Sequence, residues 1–214
     1  MVQTPGTGYP VTFDVDYPDR ELNRLTTFFR VFTIIPIAIV LGAIGGNSNV
    51  TSYNSGEVRN VAISAGGLLF VPVLLLIVFR QKYPRWWYDW NVQLTRFTNR
   101  VGAYLLLLRD EYPSTDDEQA VHFEMPYPDV TRDLNRYLPL VKWFLAIPHY
   151  IVLFFLSIAT FVVVVIAWFA ILFTGRYPRG MFDFVVGVSR WTNRVSAYAF
   201  ALVTDEYPPF RLGA

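Results

Sequence analysis

Two sets of polar residues recur at helical spacing in this chain, and they are the residues best able to do chemistry. Each set carries one aspartate and two arginines, and the sets are Asp89, Arg96 and Arg100, then Asp183, Arg190 and Arg194. The opposite side of each helical pattern is aromatic and aliphatic, which is typical of a helix lying in a membrane interface. Arginines placed there gain about 1 kcal/mol each from anionic lipid. The simpler interpretation is a water-facing helix surface with local ion pairs.

A basic turn precedes each of these helices and extends the same surface. The cations of this turn are Lys82 and Arg85 before the first helix, and Arg176 and Arg179 before the second. We therefore predict that the ten residues bind anionic lipid head groups or a protein partner.

No catalytic, metal-binding or cofactor-binding residue is predicted. The chain has no cysteine, and its two histidines, His122 and His149, are far apart in sequence. Neither a phosphate-binding glycine loop nor a nucleophile elbow is present. The neighbouring carboxylates Asp110 and Glu111 are interpreted as solvated turn residues, and His149 as a hydrogen-bonded histidine. The protein is not expected to be an enzyme.

The composition indicates a membrane protein. Hydrophobic residues make up 53% of the chain and charged residues only 16%, against roughly 25% in an ordinary soluble domain. Aromatic residues reach 17%, as expected where Trp and Tyr line membrane–water interfaces. The net charge of +1 does not suggest binding to nucleic acid.

The chain resembles itself internally, which predicts two tandem copies. Nine of 23 positions are identical between 22–44 and 134–156, and 13 of 26 between 79–104 and 173–198. We place the first repeat at 9–113, a linker at 114–120 and the second repeat at 121–209. The first repeat contains an additional polar loop at 45–62.

The apolar segments that connect these features predict membrane spans. Phe28–Ile44 and Val61–Phe79 are long enough to cross a ~30 Å hydrocarbon core, with Arg30 reaching the interface from its helix end. The uncharged stretch Trp143–Phe173 allows two interpretations. One is a short interfacial helix followed by a single span after Pro148, and the other is a two-span hairpin turning near Ser157. The alignment with the first copy favours the hairpin.

These elements together predict an all-α integral membrane protein. It consists of two parallel tandem repeats, each a two-span helical hairpin plus an amphipathic interfacial helix. Short strands with alternating polarity, near Val11–Asp16 and Val121–Met125, lie on the cytoplasmic side and could pair. Only one of 18 Lys and Arg residues, Arg59, falls between the first two spans. The positive-inside rule therefore places both termini in the cytoplasm of a multi-pass protein.

Two stretches of the second copy resemble a bacterial membrane family known as domain of unknown function 4389. They are Leu140–Tyr150 and Ile166–Gly180. The resemblance extends over the chain as two domain copies, although the first copy has Ile37 in place of His149. It implies a bacterial plasma-membrane protein and no established activity.

The function predicted from these features is non-enzymatic. We expect a scaffold or accessory subunit of a membrane complex, or a module that organises lipid. Its partners would be anionic lipid head groups at the cytoplasmic face and another membrane protein or a second copy. A small oligomeric channel or transporter is the alternative, although charge inside the apolar segments is scarce.

Overall fold

The chain is mostly helical and has two small sheets. The computed structural model describes residues 8–44, 47–54, 57–64, 70–115, 117 and 119–213. The helices are α1 (Arg24–Thr33), α2 (Ile35–Ile44), α3 (Phe70–Leu75), α4 (Arg85–Leu105), α5 (Lys142–Leu145), α6 (Ile147–Thr174) and α7 (Arg179–Ser196). A 3-10 turn at Leu138–Leu140 precedes α5, and π-helical turns at Leu76–Arg80 and Ala197–Ala201 follow α3 and α7. The antiparallel strand pairs are β1 (Thr12–Val15) with β4 (Val121–Glu124), and β2 (Asn47–Asn54) with β3 (Glu57–Ser64).

The second apolar stretch forms one uninterrupted helix, so the predicted hairpin at Ser157 is wrong. Helix α6 has 28 residues, equal to about 42 Å at 1.5 Å per residue. Ser157 does not break it, because the serine hydroxyl donates to the carbonyl of Phe154 within the same helix. The helix starts beside Pro148, where a missing backbone N–H costs nothing, and ends at Gly175 in the left-handed conformation. The other interpretation, a short helix followed by one span, matches this geometry.

Neither of the two spans predicted in the first half is a single continuous helix. The first is divided at Ile34 into α1 and α2, whose axes are bent by 46°, just before Pro36. In the second, the hairpin β2–β3 extends to Ser64, so among the described residues of this stretch helix is found only over Phe70–Arg80. Those eleven residues cover about 16 Å, roughly half of a hydrocarbon core. Parts of three predictions lie outside the described residues: 45–46 and 55–56 of the loop, 65–69 of the span, and 116 and 118 of the linker.

The predicted all-α multi-pass fold, with a two-span hairpin in each repeat, is therefore corrected. Within the part of the chain that the structure describes, α6 alone is a straight helix long and apolar enough to cross a membrane. The bent pair α1–α2 would be a second candidate if it is counted as one broken span. The hairpin β2–β3, which the sequence did not predict, also contradicts an all-α fold. A multi-pass topology with both termini in the cytoplasm is not supported by these elements.

The predicted pairing of β1 with β4 is confirmed, and it links the two halves of the chain reciprocally. Phe13 lies opposite Phe123 in this sheet. Helix α4 packs on β4 from the second half, whereas α7 packs on β1 from the first. Two tyrosines connect the halves in the same reciprocal way. The Tyr17 hydroxyl donates to the carbonyl of Tyr177, and the Tyr127 hydroxyl donates to the carbonyl of Tyr83. The main core forms where these elements meet.

Candidate functional site

The predicted lipid-binding residues divide into an exposed group and a group engaged inside the protein. The exposed group lies at the starts of α4 and α7. Arg85 pairs with Asp89 at 3.5 Å and Arg179 with Asp183 at 3.4 Å, one helical turn apart in each case. The remaining members of this group, Lys82 and Arg176, are exposed as well. These six residues are all exposed at the protein surface.

The four arginines further along α4 and α7 instead hold backbone segments of the protein. Arg96 donates to the carbonyl of Phe123 in β4, and Arg190 donates to that of Phe13 in β1. Arg190 also pairs with Asp14 at 2.9 Å. One turn later, Arg100 donates to the carbonyl of Ser114 and Arg194 to that of Gly213.

These contacts indicate that the four arginines stabilise the fold and do not bind lipid head groups. Burial lowers the pKa of the Arg194 guanidinium below its ordinary value, because desolvation disfavours the charged form. A charge held in this way is poorly placed for a lipid head group.

A buried cation bonded to an aspartate lies before the apolar helices of each half. Arg30 pairs with Asp110, and Lys142 pairs with Asp205 at 2.6 Å. The other oxygen of each carboxylate accepts a backbone N–H, from Asn23 and Asn135 respectively. The cations also lie over tyrosine rings, Arg30 over Tyr104 at 4.5 Å and Lys142 over Tyr198 at 5.2 Å.

The environment of the Lys142 pair is strongly desolvated. Burial lowers the pKa of the Lys142 ammonium below its ordinary value, and Asp205 acts in the opposite direction. A carbonyl oxygen of Thr204 accepts a further hydrogen bond from Lys142 at 2.7 Å. The ammonium of Lys142 thus contacts both a carboxylate and a backbone carbonyl inside the protein.

A mostly apolar groove of about 720 Å³ lies between α1, α4, α6 and α7. This volume is within the range of small-molecule binding sites, roughly 300–1,000 Å³. Its apolar wall includes Leu105, Leu106, Phe161, Val164, Val165 and Trp168. The indole N–H of Trp168 donates to the carbonyl of Thr27 at 3.2 Å and so joins α6 to α1.

The polar groups of the groove come mainly from α4 and α7. Asn99 and Asn193 face each other there and exchange two amide hydrogen bonds of 3.0 Å. These bonds connect the two amphipathic helices, which the sequence placed at equivalent positions of the two copies. Arg30 also lines the groove, although most of its hydrogen bonds are directed elsewhere.

The second-half segment of the chain matches a known family. Residues 139–211 match the family described as Domain of unknown function (DUF4389). This segment supplies α5, α6 and α7, and with them one side of the groove and the Lys142–Asp205 pair. The predicted resemblance over the whole chain is thus narrowed to one domain. No curated protein and no solved structure matches the chain.

His149 lies in the first turn of α6, inside the DUF4389 segment, and its buried ring packs against aromatic side chains. Its Nδ1 accepts a hydrogen bond from the Trp191 indole at 3.0 Å, which confirms the prediction of a hydrogen-bonded histidine. Its ring stacks on Phe210, with centroids 4.0 Å apart. Among the described residues, no group of three or more His, Asp or Glu side chains could hold a metal ion.

Sequence reasoning missed the importance of Arg30, Lys142 and their aspartate partners. Arg30 was expected to reach an interface, yet its side chain is only 3% exposed. Asp110 was interpreted as solvated. The sequence did contain a signal for these pairs. Each half has a cation eight residues after a leucine, Leu22 or Leu134, and each half ends in the motif Asp-Glu-Tyr-Pro, which supplies the aspartate. The groove had no comparable signal, since four separate elements form it.

Proposed function

We propose that the protein is a non-enzymatic, membrane-associated module that holds an acyl chain of a membrane lipid in the groove between α1, α4, α6 and α7. The observation that carries this proposal is the position of the groove along α6. This helix is apolar throughout, and only 11% of its most hydrophobic window is buried inside the protein. An apolar helix in the core of a soluble protein would be mostly buried, so α6 favours contact with lipid.

The groove wall and the exposed surface of α6 share residues. Phe161, which is 70% exposed, and Val165 belong to both. A lipid chain next to α6 could therefore enter the groove sideways without crossing a polar surface. The apolar lining would take a flexible hydrocarbon chain, and the few polar groups limit where its oxygen-bearing end can lie.

The exposed cations at the starts of α4 and α7 would assist this function by contacting anionic head groups. Polybasic residues near a membrane surface each contribute about 1 kcal/mol. Docking on another membrane protein remains a competing use of the exposed α6 surface. We favour lipid because the groove is a concave site of defined volume, which a flat protein–protein contact does not require.

A glycine in the groove wall offers a direct test. Gly102 lines the groove, and a Cβ added there meets no atom within 4 Å, so Gly102→Leu should fill space without disturbing the fold. Gly180, in the first turn of α7, is equally open and does not line the groove, which makes Gly180→Leu a matched control. Lipid retained by the full chain in mild detergent is measured by native mass spectrometry.

We expect the unmodified protein and Gly180→Leu to retain lipid to the same extent, and Gly102→Leu to retain several-fold less. An unmodified protein that carries no lipid after purification from membranes would overturn the proposal. Equal retention by both variants would place the bound lipid elsewhere and would also contradict it.

A further inference from the structure

One hydroxyl in the groove differs from its neighbours in its hydrogen bonding. Five lining residues place their hydroxyls on a carbonyl three or four residues earlier in their own chain segment: Thr27, Thr98, Ser157, Ser189 and Thr192. Thr160 is buried, and its Oγ1 has no hydrogen-bond partner among the described residues. Leaving a buried hydroxyl unpaired costs about 1–3 kcal/mol, which a bound oxygen atom would offset.

A second unpaired donor lies in the same wall. Three hydrogen bonds occupy the terminal nitrogens of Arg30, which donate to the carbonyls of Tyr104 and Arg109 and to Asp110. The Nε–H of Arg30 finds no acceptor in the part of the chain that the structure describes. Arg30 lines the groove and 97% of its side chain is buried, so a ligand oxygen at the groove wall would give this N–H the acceptor that it lacks.

The charge at this position selects the kind of acceptor. Asp110 already neutralises Arg30 in direct contact, so the two side chains together carry no net charge. A phosphate or a free carboxylate brought next to them would meet the Asp110 carboxylate in a poorly screened environment. An uncharged carbonyl oxygen accepts a hydrogen bond from Arg30 Nε without that repulsion.

We propose that the groove recognises the uncharged ester carbonyls of an acyl lipid, with Arg30 Nε–H and the Thr160 hydroxyl as hydrogen-bond donors. This inference rests on the proposed function, because it names the chemistry of the lipid that the groove holds. It adds a selectivity, since an ether-linked lipid has the same chains and head group but no carbonyl to accept from either donor.

The experiment compares an ester-linked and an ether-linked phosphatidylcholine with matched chains. The full chain in detergent is given an equimolar mixture of the two lipids, and native mass spectrometry measures the ratio bound. We expect the ester lipid to be favoured about fivefold, the effect of one hydrogen bond worth about 1 kcal/mol. Adding a free fatty acid as a third competitor tests the exclusion of charge, and we expect it to bind weakly.

Two variants remove the donors separately. Arg30→Lys keeps a cation for Asp110 but has no Nε–H, and Lys142 shows that a lysine can occupy the equivalent position beside an aspartate. Thr160→Val removes only the hydroxyl. Thr174→Val is the matched control, because Thr174 lies on the same helix outside the groove and donates to the carbonyl of Ala170. We expect the preference for ester lipid to fall in both donor variants and to persist in the control.

The possible outcomes separate this inference from the proposed function. If Gly102→Leu removes bound lipid but the unmodified protein takes ester and ether lipids equally, the groove binds lipid and the ester recognition is wrong. An unchanged preference in Thr160→Val and Arg30→Lys would overturn it too. A protein that binds neither phosphatidylcholine contradicts both proposals.

Discussion

Arg30 and Lys142 show how a charge is retained in an apolar protein. Each cation lies against an aspartate, a backbone carbonyl and a tyrosine ring, and these contacts replace much of its lost hydration. The aspartates also accept the backbone N–H of Asn23 and Asn135. Removing one member of such a group leaves the other charge buried and unpaired, which costs far more than the intact pair contributes.

Asp205→Ala should therefore destabilise the protein strongly. The side chain of Lys142 is fully buried, so losing its carboxylate partner should cost about 3–5 kcal/mol in the free energy of unfolding. Asp89→Ala is the control, because its pair with Arg85 is exposed and should contribute less than about 1 kcal/mol. Thermal or denaturant unfolding in detergent measures both. Similar losses in the two variants would contradict the assignment.

The exposed cations should act on membrane affinity and not on stability. We expect the double variant Arg85→Gln/Arg179→Gln to bind vesicles containing anionic lipid more weakly, by roughly 2 kcal/mol in total. Binding to vesicles of neutral phosphatidylcholine should be unchanged. Vesicle flotation at low and high salt measures this, and a loss that is equal on both kinds of vesicle would show that head-group charge is not what these arginines recognise.

At the level of elements, sequence periodicity predicted some parts well and others poorly. The amphipathic pattern located α4 and α7, and alternation located β1 and β4, because these signals are local. The division of α6 into two spans came from aligning it with the first half, where a polar insertion interrupts the apolar segment. Periodicity could not show that Arg96 and Arg190 would hold strand carbonyls. Such contacts depend on distant elements and not on neighbouring residues.

The packing of the C-terminal segment on α7 can be tested at Gly187. A Cβ added there would lie 2.9 Å from Leu212 Cβ and 3.1 Å from the Leu212 carbonyl oxygen, which accepts a hydrogen bond from Arg190. Gly187→Ala should displace the segment and destabilise the protein by about 1–3 kcal/mol. Trypsin should then cleave faster after Arg211, as followed by intact mass. Gly180→Ala, at an open position in the same helix, should leave the cleavage rate unchanged.

At the level of the whole molecule, the exposed apolar surface and the polar contacts lie in different places. The exposed large side chains are concentrated on α1, α2 and α6, whereas the arginine contacts gather around the β1–β4 sheet. A protein with this division would place one side in lipid and the other in water. The sequence predicted apolar segments in lipid and basic helices at the membrane surface, but it overestimated the number of spans.

The absence of cysteine allows this arrangement to be tested by single-cysteine labelling. Phe155→Cys, on the exposed side of α6, should react slowly with a water-soluble maleimide in permeabilised vesicles, because lipid would cover it. Gly180→Cys, at the exposed start of α7, should react quickly under the same conditions. Both should react once the protein is denatured. Equally fast labelling of the two in vesicles would show that water reaches α6.

The pairing of β1 with β4 has a consequence for the order of synthesis. Thr12 faces Glu124, so more than a hundred residues must leave the ribosome before β1 has a partner strand. Until then its backbone edge is available to other chains, and contacts of such long range form slowly. The nascent first half is therefore exposed to mispairing until β4 emerges, and a pause in translation before that point should reduce the yield of folded protein more than a pause after it.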